Sequence, residues 1–382
     1  MADAPGVSSL ALGISWPPGH HLRTRPSPAF ITGCDQFLLV LYVGTYRPCL
    51  PQPGFYLVYN AWANSVAIAP PLSCGRVNFW SHCNIGGGVA VLNVTRNGCY
   101  VLAELLLRKR DDDDPSSPHK AATLFMWWSP GSGPLAGRWI EKEVTLPLPA
   151  ADQDSYFRAD MVFPAAGTAL CWVDLLNGVL VCNRIDRLAT NIKDACPVFH
   201  FIALPPKCDA KQPGTLRGQP EKYRSMCPMG NGDTFKFVSM VGYSEDGSVD
   251  KVVLTTWTLK NALSMDSWEW EEDAASFCIR DLWDDPIYKE DLKLQPLMPS
   301  FPVIFICTRS DGVIYLSVTD YEYKHGQEGL ELQPTGFYQL SLDMLTGRLS
   351  SAIKLPSDEN GIVQHPRIFT SDCGSYLDRA TS

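Results

Sequence analysis

The stretch GFYLVYNAWANSVAIAPPL runs from Gly54 to Leu72, and about 280 residues later GFYQLSLDMLTGRLSSAIKLP runs from Gly336 to Pro356. Each reads as strand, short turn, strand, then proline. The proline ends pairing because it lacks the N–H that the next ladder bond needs. Between the two copies, strand hairpins recur every 45 to 60 residues. Units of that spacing with weak self-similarity are the mark of propeller blades. At ~50 residues per blade the chain has room for about six. Closure would pair the two ends, with Phe30–Val43 and Pro366–Thr370 as the candidate strands.

Composition points the same way. Of 382 residues, 45% are hydrophobic, 11% aromatic and only 19% charged, with 29 glycines and 30 prolines. Short strands joined by tight turns use residues in this way, and long solvated helices do not. Mean hydropathy is -0.07, as in water-soluble globular proteins. The net charge of -9 disfavours binding to phosphate backbones. The locally basic segment Pro205–Arg224 reads as a solvated linker. Thirteen cysteines, irregularly spaced and often inside apolar runs, as at Cys171, Cys182, Cys278 and Cys307, suit reduced thiols in the cytosol or nucleus. No disulfides are expected. No apolar run is long enough to span a bilayer. The N-terminus lacks a secretory pattern, while Arg23 and Arg25 in Ser/Pro-rich surroundings leave room for an organellar transit peptide.

Strand signals fill the chain: FLLVLYV (Phe37–Val43), VAVLNV, CYVLAELLLR, ATLFMWW, WIEKEVTLPL, FHFIALP, FKFVSMVGY, KVVLTTWTL, VIFICT and VIYLSVTDY. Ala274–Trp283 is the single short helical candidate. In CWVDLLNGVLVCN (Cys171–Asn183), Asn177-Gly178 predicts a two-residue hairpin turn. That register sets Leu176 opposite Val179 and Val173 opposite Cys182. Cys171, Val173 and Cys182 then share one face, and Trp172 and Asp174 the other. Asp174 beside Trp172 reads as a structural hydrogen-bond acceptor.

The hairpin resembles the hallmark of a large plant family, abundant in grasses and known as "domain of unknown function 1618". Other segments match that family in order: FYLVYNA with its following APP, YVLAEL, ATLFMWWS and RWIEKEV, FHFIALP, TTWTL, WEWEED, IRDLWDDPIY and PSFPVIF. The resemblance covers residues 28 to 356, with the hallmark region at 170 to 310. It implies a kelch-like or F-box-associated propeller with no established activity. Some relatives of this shape carry an N-terminal F-box. The first 30 residues here, rich in Pro and Gly, show no helical period that would form one.

Catalytic patterns are missing from the sequence. There is no nucleophile elbow, P-loop or dinucleotide fingerprint. Gly86–Gly88 precedes a strand, and Gly230–Asp233 reads as a hairpin turn. Cys74, His82 and Cys83 lack a second ligand pair for zinc, and His20-His21 sits in the leader. The four aspartates of Lys109–Lys120 read as a solvated hairpin tip rather than a calcium loop, which needs staggered ligands. The sequon at Asn93 falls in a strand. Two acid clusters remain: Glu269, Glu271, Glu272 and Asp273, then Asp281, Asp284 and Asp285. A glycosidase needs carboxylates facing across a cleft. Alternation of Trp268 and Trp270 with Glu269 and Glu271 reads instead as a half-buried strand.

The expectation is therefore an all-β propeller of about six blades over 28–372, with a leader at 1–27 and a tail at 373–382. It is expected to be a non-enzymatic scaffold that binds a protein partner, with no catalytic, metal or cofactor residues assigned. The alternatives are a carbohydrate- or small-molecule-binding propeller, glycosidases included, or a ubiquitin-ligase substrate-recognition subunit without its own F-box. No nucleic acid or membrane is expected as a partner, and the expected compartment is the cytosol or nucleus.

Overall fold

The computed structural model describes residues 29–44, 54–72, 88–94, 99–107, 121–130, 136–149, 157–189, 196–208, 218–243, 251–264, 267–304, 312–326 and 329–355. These form twenty strands in five antiparallel sheets of four. The first sheet holds β1 (Ala29–Asp35), β2 (Leu38–Val43), β3 (Phe55–Asn60) and β4 (Ser65–Ala69). The second holds β5 (Val89–Asn93), β6 (Tyr100–Leu107), β7 (Ala121–Trp128) and β8 (Trp139–Thr145). The third holds β9 (Met161–Ala165), β10 (Ala169–Asp174), β11 (Gly178–Asn183) and β12 (Val198–Ala203). The fourth holds β13 (Arg224–Met229), β14 (Thr234–Val241), β15 (Val253–Leu259) and β16 (Trp270–Cys278). The fifth holds β17 (Ser300–Ile304), β18 (Val313–Gly326), β19 (Gly329–Asp343) and β20 (Arg348–Leu355).

In every sheet the strands lie side by side in chain order. Such four-stranded meanders are the blades of a β-propeller. The described residues hold five of them, which corrects the expected six. The sheets open at Ala29, Val89, Met161, Arg224 and Ser300, farther apart than the assumed ~50 residues per blade. Of the two proposed closing strands, Phe30–Val43 forms the β1–β2 hairpin, and Pro366–Thr370 lies outside the described residues.

The chain divides into two compact units, one running through Ala203 with the first three sheets and one from Leu204 with the last two. Within the first unit, β1, β5 and β9 touch one another. Within the second, β13 and β17 do so. The first strand of each blade is thus the inner one. Burial follows from this order. The second and third strands of the first three blades are mostly buried, whereas β4, β8, β16 and β20 alternate with exposed positions. A strand flanked by two others and two packed faces excludes water, and the outermost strand keeps one edge wet. One apolar cluster fills each unit, around Tyr56, Leu102, Trp128 and Trp172 in the first and Val238, Leu254, Leu316 and Leu340 in the second.

The repeated motif occupies equivalent places. GFYLVYN leads into β3 and β4, and GFYQLSLD into β19 and β20. The glycine makes room for a tyrosine. A Cβ on Gly54 would lie 2.5 Å from the Tyr42 ring, and one on Gly336 would lie 2.8 Å from the Tyr338 ring. Gly54 N–H also donates to Tyr42 Oη at 3.1 Å. At the far end of each unit a short polar side chain caps the turn. Asn60 Oδ1 accepts from Ala63 N–H at 3.0 Å, and Asp343 Oδ1 from Leu345 N–H at 2.8 Å. Such side chains supply the bond that a tight turn leaves unmade.

Two sequence expectations are overturned. Ala274–Cys278 is strand, not helix, because Ser276–Cys278 pair with Val253–Thr255 of β15. Only the following Ile279–Asp284 coils, as a short 3-10 turn. The Asn177-Gly178 hairpin also has a different register. Asp174 lies opposite Gly178, Val173 opposite Val179 and Trp172 opposite Leu180, with Leu175–Asn177 as a three-residue loop. A shift of three residues is odd, so it exchanges the faces of one strand relative to the other. Cys182 therefore joins Leu170, Trp172 and Leu180 in the main cluster, away from Cys171 and Val173.

Gly178 shows why the register cannot slip. A Cβ there would sit 2.3 Å from the Ile202 carbonyl oxygen and 2.6 Å from the Phe201 ring. Gly178→Ala is expected to destabilise the fold by ~3 kcal/mol, at the upper end of overpacking costs. Gly230→Ala, where nothing lies within 4 Å of the added atom, should cost only ~1 kcal/mol from its positive φ. Urea unfolding of both variants checks the ranking.

Candidate functional site

Four groups of polar or aromatic side chains could carry function. The first is the hallmark hairpin. Asp174 is fully buried at the end of β10. Its Oδ1 accepts from Leu176 N–H at 2.9 Å and Asn177 N–H at 3.1 Å. Its Oδ2 accepts from Arg158 N–H at 2.8 Å and Asn177 Nδ2 at 2.7 Å. Asp160 Oδ2 in turn accepts from Leu175 N–H at 2.9 Å. Trp172, also fully buried, donates from Nε1 to the Gly88 carbonyl at 3.1 Å, 84 residues away in chain, just ahead of β5. Its ring lies 5.9 Å from that of Phe199. These bonds tie the third blade to the second and leave the carboxylate no open face for a substrate. Burial pushes the Cys182 thiol up to about 12, and burial together with nearby Cys182 raises Cys171 well above the ordinary thiol range. Both stay protonated and act as small apolar groups.

The second group was not read from the sequence. Glu104, in the middle of β6, is fully buried and accepts a hydrogen bond from Tyr56 Oη on β3. Tyr56 packs 5.2 Å from the Tyr42 ring and 5.5 Å from the Trp139 ring. Trp139 Nε1 donates to the Pro70 carbonyl at 2.9 Å. Nearby, Tyr100 packs 6.0 Å from Trp127, and burial pushes its hydroxyl up to about 12. The available signal was a lone carboxylate inside the otherwise apolar run YVLAELLL. A buried charge is tolerated only with hydrogen-bond partners. The arrangement joins the first two blades through an acid held among aromatic rings.

The third group holds the two acid clusters. Strand β16 begins at Trp270, so Trp268 and Glu269 precede it. Glu269 just before this outer strand, and Glu271 and Glu272 on it, are exposed. Lys260 reaches Glu271 at 2.8 Å, a pair more than half exposed and worth little. Asp273 differs because the register slips between Thr255 and Trp257. The slip turns Asp273 back onto the sheet, where it accepts from Thr256 Oγ1, from Thr258 Oγ1 at 2.8 Å and from Lys236 Nζ at 3.0 Å. Burial opposes its ionisation, but the three hydrogen bonds and the Lys236 charge prevail and hold its carboxyl below the ordinary range. Asp281 and Asp284 are exposed. Asp285 accepts from Ile287 N–H at 2.9 Å and from Leu349 N–H at 3.0 Å, fastening its loop to β20.

The fourth group is a ribbon, also missed in the sequence. Strands β18 and β19 continue to pair out to Gly326 and Gly329. Their flanking strands stop early: β17 pairs no farther than Ser317, and β20 no farther than Phe337. Beyond that level a two-stranded arm remains. A bulge at Thr335 marks its base, where Thr335 Oγ1 donates to Asp320 Oδ2 at 3.0 Å. Tyr321 and Tyr323, two residues apart and so on one face, are 44% and 69% exposed. Pro334 pairs opposite Tyr321 and is also exposed. The signal was the alternation Tyr-Glu-Tyr-Lys after Asp320.

Some expectations fall elsewhere. Cys74, His82, Cys83, His20, His21, Cys307 and the four-aspartate loop lie outside the described residues. Gly230–Asp233 is the hairpin turn between β13 and β14, as read. Arg224 departs from the solvated-linker reading of Pro205–Arg224. It is buried at the start of β13 and donates from Nη2 to the Cys208 carbonyl. Among the described residues no three His, Cys, Asp or Glu side chains come together as a metal site. None of their helices is long and apolar enough to cross a membrane. Cys34, Cys99, Cys171, Cys182, Cys196, Cys208, Cys227 and Cys278 are free thiols.

The family model described as "Protein of unknown function (DUF1618)" matches residues 172–315. No curated protein matches. Among solved structures, a GH43 β-1,3-galactosidase is similar with a TM-score of 0.33 and 10% identity, over 84% of this chain and 57% of that one. TolB from Acinetobacter baumannii is similar with a TM-score of 0.31 and 8% identity, over 87% of this chain and 55% of that one. The chain thus spans little more than half the length of either. The Cps50 (Swd1) β-propeller domain of Myceliophteria thermophila is similar with a TM-score of 0.31 and 10% identity, over 87% of this chain and 99% of that one.

The depressed Asp273 carboxyl has a consequence for stability. A group whose pKa is lower folded than unfolded stabilises the fold above the unfolded value, and that contribution is lost as pH falls through the folded one. Stability of the native chain should therefore drop as pH falls below ~4, the ordinary aspartate range. Asp273→Asn should lack that component and show a flatter acid limb. Urea midpoints measured from pH 7 to pH 3 on both proteins check it.

Proposed function

We propose that this chain is a non-enzymatic scaffold that binds a protein partner in a reducing compartment, the cytosol or nucleus. The observation that carries the reading is the β18–β19 arm with Tyr321 and Tyr323 exposed on one face. A two-stranded ribbon beyond its sheet has little stability of its own. Tyrosines there add nothing to a core, yet they are among the residues that dominate protein interfaces, where a ring buries large area and the hydroxyl keeps a partner. The buried thiols, held protonated, support the choice of compartment.

The carbohydrate-binding alternative draws on the same residue types but meets them in other roles. Sugar recognition needs aromatic and acidic side chains gathered on an open face. Trp268 donates to the Ala262 carbonyl at 3.1 Å, Trp270 packs against Phe237, and Asp273 is held by Lys236 and two threonines. Those groups serve their own sheet.

Affinity purification of the full chain from native tissue, beside the double variant Tyr321→Ser/Tyr323→Ser, tests the proposal. The native chain is expected to recover a stoichiometric protein partner under mild salt. The variant should lose at least ~10-fold of it, the yield of one weakened hot spot, with an unchanged melting temperature. Recovery of no stoichiometric partner, or equal recovery by the variant, overturns the reading.

A further inference from the structure

The outer edge of the first blade differs in kind from the others. Among the described residues, strand β4 pairs with β3 alone. At its centre Val66 and Ile68 are 50% and 65% exposed, and Trp62 in the preceding turn is 60% exposed. No charged residue occurs from Gly54 to Leu72. Three of the other outer strands carry charge: Glu141, Lys142 and Glu143 on β8, Glu271 and Glu272 on β16, Arg348 and Lys354 on β20. The uncharged β12 buries Phe199 and Ile202 near its centre. Charges on an outer strand are the usual guard against edge-to-edge pairing, since a partner strand would have to desolvate them. β4 has no such guard.

We propose that β4 is the contact through which two copies of this chain associate, by antiparallel strand addition about a two-fold axis at Ala67. This goes beyond the scaffold reading and does not depend on it. A two-fold contact must be self-complementary: if residue i meets j, then j meets i. Ser65-Val66-Ala67-Ile68-Ala69 satisfies this about its centre. Val66 of one copy meets Ile68 of the other, and the reverse. Both stand on the face of Tyr59 and Leu57, their register partners on β3, so the two apolar faces run on as one. Charge selects the occupant. Each copy carries -9, so most surfaces of two copies repel. Among the described outer strands, β4 offers an exposed contact that sets no like charges together. Pairing would also satisfy the outward N–H and C=O groups of both edges, as strand addition does.

The test is sedimentation equilibrium of the full chain over a concentration series, with Ile68→Lys, Val66→Lys and the control Leu345→Lys, which alters an exposed residue in the turn between β19 and β20 of the other unit. The native chain and the control are expected to dimerise. Each β4 variant should weaken dimerisation at least ~100-fold, because the two-fold sets two ammonium groups into one apolar contact. Circular dichroism should be unchanged, since the replaced side chains are exposed. Ala67→Cys should give a covalent dimer on mild oxidation, because the axis places that residue opposite its own copy. A native chain that stays monomeric overturns the proposal, as does a dimer that survives Ile68→Lys. A dimer lost in Ile68→Lys but never cross-linked by Ala67→Cys overturns the axis at Ala67.

Discussion

The fully buried Asp174 carboxylate accepts hydrogen bonds from Leu176 N–H, Asn177 N–H, Asn177 Nδ2 and Arg158 N–H. Much of the third blade depends on it. The bonds to Leu176 and Asn177 close the loop one residue wider than an Asn-Gly turn and fix the β10–β11 register. The register places Trp172 and Cys182 on one face. Trp172 then reaches the Gly88 carbonyl and links the third blade to the second. Removing the acceptor would strand several buried N–H groups at once, at ~1–3 kcal/mol each. Packing alone would not select this register, because both faces of the hairpin are apolar.

The same logic recurs with other residues. Asp285 ties a loop to Leu349, 64 residues away, and Glu104 ties the second blade to Tyr56 of the first. Within each unit the apolar clusters provide the bulk of the stabilisation, but apolar contact is non-directional. Directional bonds from a few acids decide which strand faces which. This explains why a chain with so few charged residues buries several of them. A blade is a flat object with two apolar faces, and such an object slides unless something pins it.

The repeat, the strand runs and the turn at Gly230–Asp233 were legible because alternation and turn chemistry are local. The errors share a cause. The hairpin register was misread because Asn177-Gly178 outvotes Asp174 in any scheme that ignores a side chain bonding to the backbone two and three residues on. The short helix at Ala274 was misread because pairing with β15 overrides a weak local period. The blade count failed because connection lengths obey no period. Glu104 and the tyrosine ribbon left visible traces, a lone charge in an apolar run and an aromatic alternation outside one. Neither trace has meaning until the neighbouring strands are known to be present or to stop.

Catalysis and architecture compete for the same side chains. A general acid or nucleophile must keep an open coordination face and a substrate within reach. Asp174, Asp273, Asp285 and Glu104 instead have their oxygens occupied by backbone N–H groups, hydroxyls or an ammonium from their own unit. Glu271 and Asp284 are exposed and pair with Lys260 and Lys289, and Glu269 and Asp281 are exposed as well. Among the described residues the fold leaves open surfaces of another kind: an uncharged outer strand with exposed apolar side chains, and a pair of tyrosines on a ribbon past the end of its sheet. Both are surfaces that another chain can cover, and neither holds the convergent polar groups that would activate a small molecule. The division follows from building blades with little charge, because each acid used to fix a register is one fewer available for chemistry.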